Sequence, residues 1–194
     1  MIHSKTLRHF VPALAIVVAV AAPAVVRADA VPAPDDSFQL TLPEGFAAFT
    51  KQAQSATSPE GEINTTNWIS KSTDGSAIVV TMSRMPGPIL DPAKLMDSTR
   101  ESLLKSLSAT LENEERAEKG SSLLFKSAGA FFRSRFEVRD DRFYQLLYVA
   151  RSDEGRTTPA AAQVFDSFAV AETAAPAETA PAAAAPAEPA TATK

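Results

Sequence analysis

From Ala130 to Arg151 the chain reads AFFRSRFEVRDDRFYQLLYVAR, with apolar side chains at odd and even positions alike. Asp140-Asp141 divides the stretch into two strands, Ala130–Val138 and Phe143–Arg151. In the first, Phe132, Phe136 and Val138 share one side and Phe131 takes the other. In the second, Phe143, Leu147 and Val149 oppose Tyr144, Leu146 and Tyr148. Successive strand residues point to opposite faces, so a strand apolar on both belongs inside a sheet covered on both. One covering layer is not enough. The chain must supply two.

The remaining elements follow from spacing. Phe38, Leu40 and Leu42 alternate with polar residues and end at Pro43-Glu44-Gly45, predicting a half-buried strand, with Phe46 and Phe49 tucked back onto the core. Residues 50–61 are polar and read as a loop. Ile63–Ser70, with the only tryptophan, and Ala77–Met82 predict a hairpin about Asp74-Gly75. Asp91-Pro92 starts a helix. Leu95, Met96, Thr99, Leu103, Leu107 and Leu111 continue its apolar face, which predicts a helix over 92–112, packed on the sheet. Strands are expected at Glu114–Lys119 and Ser122–Ser127. Thr158-Pro159 opens a closing helix with Ala162, Phe165 and Phe168 as its buried stripe.

The two ends of the chain are of another kind. Residues 1–30 carry Lys5 and Arg8, then an apolar run from Val11 to Val26, then Ala28-Asp29-Ala30, the pattern of an export signal with a peptidase site. Cleavage after Ala30 is expected. An uncleaved anchor is the alternative, although only 18 uncharged residues separate Arg8 from Arg27 and Pro12 and Pro23 interrupt them; a spanning helix needs roughly 20. Both readings place the rest outside the cytoplasm, in a bacterial periplasm or secreted. Residues 31–36 read as a linker. From Ala171 onward the composition falls to Ala, Pro, Glu and Thr, with Pro176, Pro181 and Pro186 five apart. Each interior proline costs a helix about 3 kcal/mol, so 171–194 is expected to be disordered. One globular domain remains, 37–170.

The sequence of parts is a strand ending in LPEGF, a hairpin with a central tryptophan, a long helix, a β-meander and a closing helix ending in VFDSFAV. Over 38–170 this resembles the PsbP-like group of α/β/α sandwiches, which takes in the thylakoid PsbP proteins, Mog-type Ran-binding proteins and bacterial periplasmic DcrB-like proteins. Its most recognisable pieces are Phe38–Phe46 and Val164–Phe168. The resemblance implies an α+β domain, a largely antiparallel sheet covered by helices on both faces, that acts by docking as an assembly or accessory factor. It implies no catalytic motif and carries over no site residue.

The chemistry that residue types permit is narrow. The two histidines, His3 and His9, lie in the export segment, and there is no cysteine. The processed chain therefore lacks the usual general base near neutral pH, the commonest zinc ligand and the thiolate nucleophile. No cofactor and no metal is expected, and the domain reads as a non-enzymatic binding module. Taking Lys5, Arg8, Arg27 and Asp29 from 19 basic and 23 acidic side chains leaves 16 against 22, a net charge of −6. That balance gives no bulk attraction to nucleic acid or anionic lipid, and no stable membrane insertion is expected once the signal is cleaved. The expected partner is a protein or another cell-envelope component.

Two surfaces are candidates for it. Met85, Pro86, Pro88, Ile89 and Leu90 form a proline-stiffened apolar loop; a rigid apolar tip docks at low entropic cost. Its plainer reading is that Ile89 and Leu90 staple onto the following helix. Arg133, Arg135 and Arg139 alternate along one strand face, with Arg142 across the turn, and could grip an acidic partner, phosphate or anionic glycan. Their plainer reading is a solvated edge paired with Glu137, Asp140 and Asp141, with stems lying over Phe131. Two other functions compete: a carrier of small apolar ligands with a pocket near Trp68, and a hydrolase using carboxylates alone.

Overall fold

The computed structural model describes residues 30–32 and 37–170. The segment before Ala30, residues 33–36 of the linker, and the tail from 171 lie outside them. A small sheet holds β1 (Ala30–Pro32), β2 (Phe38–Thr41) and β10 (Ala169–Val170), with β2 in the middle. The expected linker thus begins as strand, Val31 facing Leu40. The main sheet has seven antiparallel strands: β3 (Thr50–Ser58), β4 (Gly61–Lys71), β5 (Ala77–Arg84), β6 (Thr110–Ala117), β7 (Gly120–Ser127), β8 (Ala130–Arg139) and β9 (Arg142–Ala150). Their spatial order is β3-β4-β5-β9-β8-β7-β6. Helix α1 (Pro92–Ser106) joins β5 to β6, and α2 (Pro159–Ser167) follows β9 through a short 3-10 turn at Glu154–Thr157.

β9 lies at the centre, and its two faces seed two cores. Tyr144, Leu146, Tyr148 and Ala150 join Ile78, Val80 and Trp68 beneath β2 and α2. Phe143 and Leu147 join Val79, Phe125, Phe132 and Phe136 beneath Met96 and Leu103 of α1. Aromatic packing is close on both sides. Phe38 meets Trp68 edge-on at 5.0 Å, and Phe125 stacks on Phe132 at 4.8 Å.

The covering layers differ from the expected sandwich. α1 covers one face, but the other is shared between α2 and the small sheet, tied together by Thr41 N–H donating to Ser167 Oγ at 3.0 Å. The domain is mostly antiparallel sheet with two helices. Both helix starts form as read: Asp91 Oδ1 accepts from Lys94 N–H at 3.0 Å, and Thr158 Oγ1 from Ala161 N–H at 3.2 Å. In α2 the buried side chains are Ala161, Val164 and Phe165, with Phe168 buried just beyond, whereas Ala162 is only half-buried.

Three boundaries depart from the sequence reading. Residues 50–58 are strand β3, not loop, paired residue for residue with β4 from Thr50↔Ile69 to Ser58↔Gly61. Helix α1 stops at Ser106, not 112. Ser108 takes a left-handed φ of 49°, and Ala109 N–H donates to Leu104 O at 2.8 Å and Ser108 N–H to Lys105 O at 3.2 Å. This closes the helix as a Schellman motif without glycine. The freed residues let β6 begin at Thr110 instead of Glu114.

Because β9 feeds both cores, neighbouring substitutions on it are expected to cost alike. Leu146→Ala and Leu147→Ala are fully buried on opposite faces, and each should lower unfolding free energy by about 2–5 kcal/mol in urea denaturation. A strand with one wet face would give one large loss and one small.

Candidate functional site

Facing residues on adjacent strands share a side of the sheet. The row Glu115–Ser122–Arg135–Leu146 therefore lies on the α2 side, and the row Glu114–Leu123–Ser134–Leu147 on the α1 side. The first row is covered at Leu146, and by Phe165 and Phe168 at Arg135, and it opens toward Ser122 and Glu115, where the side chains are partly or fully exposed. There Glu115, Lys119, Gly120, Arg135, Glu137 and Arg139 line an open groove of about 400 Å3. A smaller recess of about 140 Å3, lined by Asn113, Leu124, Arg133 and Thr157, joins it through Glu115 and Ser122.

The arginines occupy different stations along this face. Arg133 lies over the ring of Phe165 at 4.2 Å. Arg135 lies 5.8 Å from the Phe168 ring, donates Nη1 to Phe165 O at 3.2 Å and Nη2 to Glu137 Oε1. Arg139 donates to the other oxygen, Glu137 Oε2, at 3.4 Å. Their strand is interior, so they are not on a sheet edge, and the guanidinium groups of Arg133 and Arg135 lie over Phe165 of α2 and Phe168 just beyond it. Phe131 is taken by Arg156, at 5.6 Å. Arg133 and Arg135 therefore fasten α2 to the sheet, whereas Arg139 and Lys119 are exposed at the groove rim. Gly120 is required where it stands: a Cβ there would come within 2.9 Å of Phe136 O.

The groove is cationic on a chain of opposite net charge. Arg116, Lys119, Arg135 and Arg139 line it against Glu115 and Glu137. Arg116 is engaged elsewhere, at 2.7 Å from both Asp97 and Glu114. A guanidinium carries five donors, so Arg139 keeps several after meeting Glu137. Together with the Lys119 ammonium these suit a carboxylate or another oxyanion.

The 85–90 loop reaches the same end of the sheet. Met85 N–H donates to Asp141 O at 2.7 Å and Ile89 N–H to Asp140 O at 2.8 Å, fixing the loop to the β8–β9 turn. Pro86 sits against Gly61 of the β3–β4 turn; a Cβ on that glycine would lie 2.7 Å from Pro86 Cβ. Met85 and Ile89 pack on the α1-side core. Pro86 and Pro88 face outward, and Leu90 is 91% exposed. The loop is split: part of it is core, and Leu90 projects alone.

The carboxylates Glu112, Glu114 and Glu115 lie close in sequence, but the structure sends them to different places. A bulge between Leu111 and Asn113 re-aims Glu112, which pairs with Lys126 at 2.6 Å and with buried Arg156. Glu114 turns to the helix side and meets Arg100 of α1 at 2.8 Å. Glu115 faces the groove. Among the described residues no three His, Cys, Asp or Glu side chains gather as metal ligands, and no helix is long and apolar enough to cross a membrane. Trp68, expected beside a ligand pocket, is 1% exposed, closed in by Phe38, and neither groove reaches it. Arg156 was the residue that sequence reasoning passed over. Its burial comes from tertiary contacts with Phe125 O and Glu112, which no local pattern announces, beside a local i,i+3 pair with Asp153.

No protein-family model matches the chain, and no curated protein matches it by sequence. Its fold is similar to the solution structure of cyanobacterial PsbP (CyanoP) from Synechocystis sp. PCC 6803. The TM-score is 0.50 at 12% identity, over 79% of this chain and 98% of that one. The fold is PsbP-like. At that identity the likeness speaks for architecture alone.

Hydrogen bonds from Lys126, then Arg156, hold the Glu112 carboxyl below the ordinary glutamate value near 4.5. A carboxyl lowered in the folded state stabilises the fold above its unfolded pKa and loses that contribution as pH falls through its folded pKa. The denaturation midpoint of the wild type should therefore drop with acidification below about pH 4.5. Glu112→Gln, measured in the same titration, should start lower at neutral pH and show a shallower acid decline.

Proposed function

We propose that the chain is an exported, non-catalytic binding module of the cell envelope that docks an acidic segment of a protein partner at the groove end of its main sheet. One observation carries the reading: Lys119 and Arg139 stand exposed around an open groove on a chain whose overall charge would repel the same ligand. Such an arrangement selects by local field against global charge and steers encounter at the docking end. Leu90 projects at the same end of the sheet from a loop packed on the α1 side, so a partner that passes around this end meets an apolar contact held by two backbone hydrogen bonds. The PsbP-like fold favours an accessory or assembly role by analogy of architecture.

A direct test is a titration of the labelled chain without residues 1–30 by a synthetic peptide of glutamate and alanine with a central leucine. Amide shifts should concentrate at Lys119, Gly120 and Arg139, and affinity should fall with added salt. Exposed charge pairs are worth about 0.2–1 kcal/mol each. Lys119→Ala with Arg139→Ala should therefore weaken binding by about two- to thirtyfold and flatten the salt dependence. Shifts scattered over the sheet, or equal binding by the double variant, would sink the reading. Leu90→Ser is the matching loop variant, since Met85 and Ile89 are packed in the core.

Export has its own readout. In a bacterial host the full chain should be recovered outside the cytoplasm with an intact mass that begins at Val31. An unprocessed mass in the membrane fraction would favour the anchor.

A further inference from the structure

The two edges of the main sheet are treated differently. Edge strand β6 carries Glu112, Glu114, Glu115 and Arg116, is broken by a bulge, and is clipped to α1 by Arg100 and Asp97. Charges, bulges and covering elements are the usual devices that stop an edge from pairing with another chain. Edge strand β3 has no bulge, and among the described residues nothing covers it. It runs nine residues, TKQAQSATS, in unbroken register with β4 and holds a single charge, Lys51, and no proline. At about 3.4 Å per residue its free side is roughly 30 Å of backbone N–H and C=O groups. Its side chains are exposed on both faces, Ala56 and Ser58 partly so.

We propose that β3 is a self-association edge, pairing antiparallel with β3 of a second copy of this chain about a two-fold axis at Gln54, so that the two main sheets become continuous. The strand's own sequence argues for that occupant. A two-fold pairing that overlaps Thr50–Ser58 fully with itself sets Lys51 opposite Thr57, Gln52 opposite Ala56 and Ala53 opposite Ser55. Like charge never meets like. Facing residues keep the same side of the sheet, since each pair has matching parity. On the axis two Gln54 side chains face each other, and an amide is both donor and acceptor. A strand of small uncharged side chains offers little by which to choose a foreign strand by charge, yet it matches itself in size and polarity. The contact is isologous, so it closes at two copies, and β6 gives no second edge from which a fibre could grow.

Sedimentation of the purified chain across the micromolar to millimolar range tests this. The wild type should pass from monomer to dimer and stop there. Gln54→Lys and Gln54→Glu change an exposed side chain and should keep the wild-type circular dichroism spectrum. Each alone should remain monomeric where the wild type is dimeric, because like charges then face each other on the axis. An equimolar mixture of the two should restore the dimer. A wild type that stays monomeric throughout, a Gln54→Lys chain that dimerises as the wild type does, or a mixture that fails to recover would each overturn the proposal. None of these outcomes depends on the groove, whose anionic peptide binds at another edge of the molecule.

Discussion

Desolvation of β9 on both faces is the constraint from which the architecture follows. Tyr144, Leu146 and Tyr148 on one side and Phe143 and Leu147 on the other are all buried. Each such side chain contributes about 1.5–3 kcal/mol when removed from water. A single helix could protect only one set. The chain meets the demand unequally, with one long amphipathic helix on one side and, on the other, a short helix sharing the work with a strand from the N-terminal region. That sharing explains why β2 and α2 are bonded at Thr41 and Ser167 and why Phe38, near one end of the described chain, packs on both Trp68 and Phe168. The ends of the described chain are brought together because the centre of the sheet requires it.

Charged residues then fix what burial alone leaves loose. A helix lying on a sheet can slide or rotate at little cost in buried area, and a discrete ion pair opposes such motion. Arg100 and Arg116 join α1 to β6 through Glu114 and Asp97. Arg133 and Arg135 hold α2 through its aromatic rings and a terminal carbonyl, which is the end where a helix carries partial negative charge. Arg156, almost fully buried, links β7, the bulge of β6 and the 3-10 turn through Phe125 O, Glu112 and Asp153. The exposed pairs on α1, unlike those of Arg156, contribute little individually. Their effect is in register more than in total stability.

What could be read in advance was whatever apolar periodicity or capping chemistry wrote locally. The two-sided strands at 130–151, both Pro-initiated helices and the Asp74-Gly75 hairpin are of that sort. The misread parts share a different cause. β3 has no apolar face to alternate, and it is a strand because β4 presents a matching ladder, a fact of pairing and not of propensity. The end of α1 was hidden because Ser108 adopts the conformation usually marked by glycine, and because Leu111 buries into the same core from a strand that the helix would have reached from its own face. The Arg133–Arg139 ladder was visible as a ladder, but its setting depended on strand order. In the interior of the sheet its first two members became helix supports, and only Arg139 was left at the surface with Lys119, a residue whose place in the groove comes from the β6–β7 turn.

The same distribution of burial divides the surface into regions of different use. Where layers meet the sheet, charge is paired and spent on holding elements in place. Beyond the end of α2 the sheet continues, and its face becomes a floor on which Glu137 meets both Arg135 and Arg139, with Lys119 and Glu115 beside them. At the opposite edge the covering layers stop short of β3, and there the exposed groups are backbone, which recognises a strand and not a charge. Helix placement and layer width thus leave two surfaces of different chemistry on one sheet, one of side-chain charge and the other of main-chain hydrogen-bonding groups.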